Sequence, residues 1–113
     1  MPIFTYEKAR ILAQTWVDLR CNFEAQIIDE ATITKPYGWV FFYESKIYLE
    51  TGDVGEFLVG NAPILIDRVN AELITFGTSY LTEHYIQEYE KTIPKARLQM
   101  KPEFPPNNDE TNR

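Results

Sequence analysis

The sequence is short of the residues that most chemistry requires. It has one cysteine, Cys21, and one histidine, His84, among 113 residues. A lone cysteine excludes an internal disulfide framework and suits a reducing cytoplasm. Cys21 also lacks an evident activating base, and a buried inert thiol is its expected fate. His84 with Glu88 shares a helix face, but a zinc site needs three or four ligands and neither a second histidine nor a cysteine pair is present. No apolar run approaches the roughly 18 residues that a transmembrane helix needs. The opening Met1-Pro2-Ile3-Phe4-Thr5-Tyr6-Glu7 lacks a basic region followed by an apolar stretch, so no signal peptide is expected. Basic residues are also scarce: 11 Lys and Arg against 17 Asp and Glu leave a formal charge of −6, which repels phosphate backbones. Gly52, Gly55 and Gly60 are spaced unlike a phosphate-cradling loop, and no Gly-Lys-Ser/Thr follows. Neither a nucleic-acid nor a membrane partner is expected, and no cofactor or metal is implied.

What is there is enough for one modest core. Hydrophobic residues make up 44% of the chain and aromatics 14%, a globular composition. The charge is uneven: residues 44–90 sum to −7, while residues 91–101 carry +4 through Lys91, Lys95, Arg97 and Lys101. From Pro94 the chain holds prolines and asparagines with little to bury, so residues 94–113 read as a mobile C-terminal tail and residues 3–93 as the folded unit.

Thr5 can cap a helix in which Ala9, Leu12, Ala13, Trp16 and Val17 form an apolar stripe, ending near Cys21-Asn22. A strand is expected over Ala25–Thr34, a turn at Lys35-Pro36-Tyr37-Gly38, and a second strand over Trp39–Tyr43. Residues 46–61 form a long connection, with a short helical turn over Asp53–Val59 that turns Phe57 and Leu58 inward. Strands at Ala62–Asp67 and Glu72–Phe76 should make a hairpin. A second helix over Leu81–Thr92 should bury Leu81, Tyr85, Ile86 and Tyr89, and Pro94 stops it. The fold class is therefore α+β, a single small domain of αββββα order, with a mainly antiparallel four-stranded sheet packed by N- and C-terminal helices.

A sheet with one wet face alternates apolar and polar residues. Trp39-Val40-Phe41-Phe42-Tyr43 and Ile64-Leu65-Ile66 do not. Two helices are expected to cover one face only, so the second needs the 46–61 connection, the tail, a second copy or a partner. If nothing in the chain covers that face, a symmetric homodimer would hide it. Carboxylates are abundant but show no convergence of the kind that general acid–base catalysis needs, and no catalytic residue is assigned. A negative surface would instead steer a basic protein partner.

Tyr37 to Ser45, Tyr48-Leu49-Glu50-Thr51-Gly52-Asp53, Gly60-Asn61-Ala62-Pro63 leading into Ile64–Asp67, and Gly77-Thr78 followed by Glu83–Tyr89 together resemble the immunity protein 35 family. The resemblance is good over residues 37–90 and loose over residues 5–36. It implies a small bacterial α+β protein that is not an enzyme and that binds and neutralises a cognate toxin of a polymorphic toxin system. A heat-stable protein with proposed chaperone activity also resembles this family, so a holdase or adaptor for unfolded chains is the alternative. Trp39, Gly60, Asn61, Pro63 and Gly77 read first as fold residues: Trp39 anchors the core, Gly60 and Asn61 turn the chain, and Pro63 suits the start of an edge strand. Where the family pattern has glycine this chain has Ala71, so Asn70 or Ala71 should take the left-handed conformation. A proline near the last helix is replaced by Leu81. The expected partner-binding surface is the 44–56 stretch, with Glu44, Tyr48, Glu50, Asp53 and Glu56: aromatic anchors rimmed by charge.

Overall fold

The computed structural model describes residues 4–106. Helix α1 spans Tyr6–Arg20, with the Thr5 hydroxyl accepting from the Lys8 amide at 3.2 Å. Glu7 in its first turn and Arg20 in its last complement the helix dipole. Its buried face is Tyr6, Ala9, Ala13 and Val17, the core of the expected stripe.

Strands β1 (Ala25–Ile27), β2 (Ile33–Lys35), β3 (Gly38–Phe41) and β4 (Tyr43–Ser45) form the two arms of one bent hairpin. Ile27 faces Tyr43 and Ile33 faces Val40, so six steps on the first arm oppose three on the second. The surplus is absorbed by a 3-10 turn at Asp29–Ala31, which splits the single strand expected over residues 25–34. Strands β5 (Ile64–Asp67) and β6 (Leu73–Thr75) complete a four-stranded antiparallel sheet of order β2-β3-β5-β6, with β1 and β4 paired beside it. Strand β5 is thus an inner strand, and Pro63 lies just ahead of its first ladder pair rather than on an edge. Gly38 lies where β3 crosses close to β5: a Cβ there would sit 2.1 Å from the Ile66 carbonyl oxygen. In the β5–β6 turn it is Ala71 that takes positive φ, at 60°.

Both faces of the sheet are covered, and the expectation that the two helices share one face is corrected. Trp39, Phe41, Ile64 and Ile66 pack under α1. Val40 and Leu65 point the other way, against Ile86, Tyr85 and Tyr89 of helix α3 (Thr82–Glu90) and against Ile93 and Leu98. The two helices therefore lie on opposite faces, and every residue of β3 and β5 is buried. That double coverage is why these strands do not alternate. It also removes the reason for a homodimer through a second sheet face. Leu81, expected on the buried side of α3, precedes its first turn and is exposed.

Residues 94–106 are part of the packed structure, so the tail does not begin at Pro94. They form a strap, opening with a 3-10 turn at Lys95–Gln99. The Arg97 guanidinium donates to Asp67 Oδ2 at 2.7 Å, and Asp67 is fully buried. The other Asp67 contacts are the Tyr89 hydroxyl and the amides of Val69 and Asn70, so the buried charge is both paired and hydrogen-bonded. Further on, Arg68 donates to the Lys101 carbonyl at 2.7 Å, and Trp39 Nε1 donates to the Glu103 carbonyl at 2.7 Å. The Glu103 carboxylate accepts from the Tyr6 amide at 3.0 Å, at the start of α1. Thus the strap begins on the α3 face and finishes on the α1 face. Residues 107–113 of the expected tail lie outside the described residues.

Candidate partner-binding surface

The connection between β4 and β5 is a built lobe. Ser45 caps helix α2 (Lys46–Thr51), its hydroxyl accepting from the Tyr48 amide at 3.1 Å, and Gly52 closes the helix in the left-handed conformation. Asp53 then caps a 3-10 turn at Val54–Glu56, Oδ1 accepting from the Gly55 amide at 2.9 Å. The rings of Tyr48 and Phe57 lie 4.5 Å apart and tie the helix to the returning chain. Gly60, at φ 76°, reverses the chain. Asn61 Nδ2 then donates to the Tyr43 carbonyl at 2.8 Å, which fixes the lobe's exit beside its entry.

Glu44 is the lobe's internal fastening. It is 5% exposed, and its Oε2 accepts from the amides of Ser45 (2.9 Å) and Leu58 (2.7 Å). Its Oε1 accepts from Asn61 Nδ2 at 3.3 Å. A carboxylate spent on three donors inside the protein is no surface contact, so the expectation that Glu44 meets a partner is corrected. Tyr48 is half-buried under Phe57, and Glu50, Asp53 and Glu56 are exposed. Of the pair expected to turn inward, Leu58 joins the α1-side core and Phe57 stays largely exposed.

What the sequence reading missed is the apolar part of this surface. Five of the eleven exposed large apolar side chains among the described residues fall within residues 47–59: Ile47, Leu49, Val54, Phe57 and Val59. Val59 is 95% exposed and Val54 78%. The available signal was their lack of any period, since a connection whose apolar residues fit neither helix nor strand has no face to bury them on. Single exposed apolar residues are ordinary, whereas a cluster rimmed by charge marks an interaction site.

Trp39 is fully buried. The Pro63 carbonyl accepts from the Phe76 amide at 3.1 Å. A Cβ on Gly77 would sit 2.7 Å from the Tyr85 hydroxyl, which accepts from the amides of Ser79 and Tyr80.

Elsewhere, a groove of about 970 Å³ runs between the first half of α1, Asp29-Glu30 and residues 103–106, with Arg10 and Asp29 paired across it at 2.7 Å. The His84 ring lies 4.2 Å from that of Tyr80, and Glu88 is engaged by Lys91 at 3.0 Å. That contact draws the Glu88 carboxyl below its usual range. Cys21 is half-buried, and burial raises its thiol pKa, which disfavours the reactive thiolate. Among the described residues, no group of three or more His, Cys, Asp or Glu is placed to hold a metal ion.

Against known proteins, the model of the family described as Immunity protein 35 matches residues 7–91. The chain belongs to the immunity protein 35 family. The matched stretch runs from the first turn of α1 through α3, with the whole lobe inside it. The strap, residues 94–106, lies wholly beyond the matched stretch. The chain is also similar to the uncharacterized protein YrhB of Escherichia coli (strain K12), 46% identical over 59 residues. That match covers 52% of this chain and 61% of YrhB, so it spans less than two thirds of the relative. No solved structure matches. No helix is long and apolar enough to cross a membrane, among the described residues.

Proposed function

We propose that this chain neutralises a cognate bacterial toxin in the cytoplasm by binding it, with no catalysis of its own. The observation that carries this reading is the acid-rimmed apolar lobe, built by a member of an immunity family. Its contact set is Tyr48, Glu50, Asp53 and Glu56 with the exposed apolar residues of 47–59. Aromatic and aliphatic anchors supply the desolvation energy of such an interface, while the charged rim steers a basic partner and fixes its orientation.

A holdase for unfolded chains would suit an open apolar sheet face. That face is covered by α3 and the strap, so the alternative now leans on the same lobe. A pull-down of the tagged full chain from its native host, quantified for stoichiometry, separates the two. One dominant partner near 1:1 that survives moderate salt is expected. A smear of many substoichiometric proteins would favour the holdase and overturn the proposal.

A further inference from the structure

The most unusual backbone among the described residues lies where α1 ends. Asn22 (φ 54°) and Phe23 (φ 63°) are consecutive left-handed residues, and neither is glycine. Asn22 is unsurprising, because asparagine tolerates this region and closes helices. The Phe23 amide donates to the Asp18 carbonyl at 2.8 Å, as in a Schellman end. Phe23 is different: for a bulky side chain this conformation is a genuine outlier. Burial does not offset the strain. The ring is 60% exposed and belongs to neither core cluster.

The turn is held from both sides. The Glu24 amide donates to the Cys21 carbonyl, and the Glu24 carbonyl accepts from the Lys46 amide, both at 2.9 Å. The next pair along the ladder is Ala25 with Ser45. Phe23 is therefore presented beside the first residue of α2, at the edge of the lobe. Leu19, four positions earlier on α1, is 73% exposed, and Ile47 in the first turn of α2 is 50% exposed. Strain maintained without a packing role points to function, and a pre-positioned aromatic loses little entropy on binding.

We propose that Phe23, with the exposed Leu19 in the last turn of α1 and Ile47 in the first turn of α2, is the anchor with which this chain seats in its protein partner, and that the partner offers an apolar socket rimmed by lysine or arginine. The inference rests on the binding reading above and extends the surface beyond the lobe. Charge selects the occupant. Beside Phe23 the exposed Glu24 is offset by Arg20 and Lys46, but Glu50, Asp53 and Glu56 flank the lobe and leave the wider surface acidic. A second copy would set these carboxylates against themselves, and a chain of net charge −6 is repelled by an anionic lipid surface.

The test places photoreactive benzoylphenylalanine at position 19 of the full chain in its native host, with a control at exposed Gln87 on α3. The expected result is one dominant adduct from position 19, none from position 87, and a cross-linked peptide that carries Lys or Arg. Adding Phe23→Asn should lower the adduct yield at least about tenfold, the scale of a hot-spot loss. The melting temperature should hold or rise, because asparagine accepts the left-handed conformation. Phe23→Gly should behave the same way. An adduct indifferent to both variants would overturn the anchor while leaving the binding reading intact. A dominant adduct from position 87 alone would do the same. Cross-linking to a second copy, or to an acidic peptide, would overturn the choice of occupant. Many weak adducts would overturn both readings, and a clear fall in melting temperature for both variants would show that Phe23 serves the fold.

Discussion

The lobe at 46–61 and the strap at 94–106 are both irregular and both lie outside the main sheet, yet they are built in opposite senses. The lobe closes over one buried carboxylate, Glu44 of β4, held by three donors, keeps Glu50, Asp53 and Glu56 exposed, and leaves Ile47, Val54 and Val59 in water. The strap turns charge inward too, through Arg97 and Glu103, but it tucks Leu98 against the sheet and offers little apolar surface outward. One segment closes the molecule and the other presents it. Polar fastening is common to both, so exposure of the apolar residues is what separates them, and it is the ground on which the lobe is proposed as the contact surface.

Deleting the strap is the most severe way to break this contrast. A chain ending at Ile93 loses the Arg97 pair, the Glu103 contacts and Leu98, and should lose on the order of 5 kcal/mol in urea melts. A smaller version is Arg97→Ala, which leaves buried Asp67 without its cation and should cost about 3 kcal/mol. Glu44→Ala should cost about 2 kcal/mol by orphaning the Leu58 and Asn61 donors, and should loosen the lobe as seen by faster amide exchange at Leu58. Asp53→Lys with Glu56→Lys tests the opposite property: partner binding should be abolished while stability falls by no more than about 1 kcal/mol, the worth of the Asp53 cap. Binding that survives this double reversal would move the contact surface away from the lobe.

The mildest test is alkaline. Burial, then the hydrogen bond to Glu90, raises the Tyr37 phenol above its ordinary 10.0, and burial with Asp67 raises that of Tyr89. The unfolded chain releases these protons first, so their contribution is intact below pH 10 and declines as the pH climbs beyond it. Tyr37→Phe should flatten that decline in a stability profile taken above about pH 10.

Much of the fold was legible because its signals are local. The Thr5 cap, the Ala9–Val17 stripe, the Pro36-Tyr37 turn and the break before Pro94 each depend on neighbours in sequence. What was not legible depended on distant partners. Glu44 finds two of its three donors 14 and 17 residues later, so its neighbours alone did not distinguish it from the exposed Glu50 or Glu56. The strap looked unfoldable because its own apolar content is low, and its fastening comes from Asp67, Arg68 and Trp39 instead. The opposed helices were misjudged through size. Strands of three or four residues about 4.8 Å apart make a sheet so small that one helix suffices for each face. On the candidate surface, charge was readable at Glu50, Asp53 and Glu56, while the strain at Phe23 exists only in the folded backbone.

The bond between the Tyr6 amide and the Glu103 carboxylate spans 97 residues. During synthesis, α1 and the aromatic strand emerge long before the carboxylate that caps that helix and the carbonyl that satisfies the Trp39 indole. The final packing of the α1 seam must therefore wait until the ribosome has delivered the strap. Until residues 94–106 are free, the nascent chain carries the lobe on an unfinished sheet.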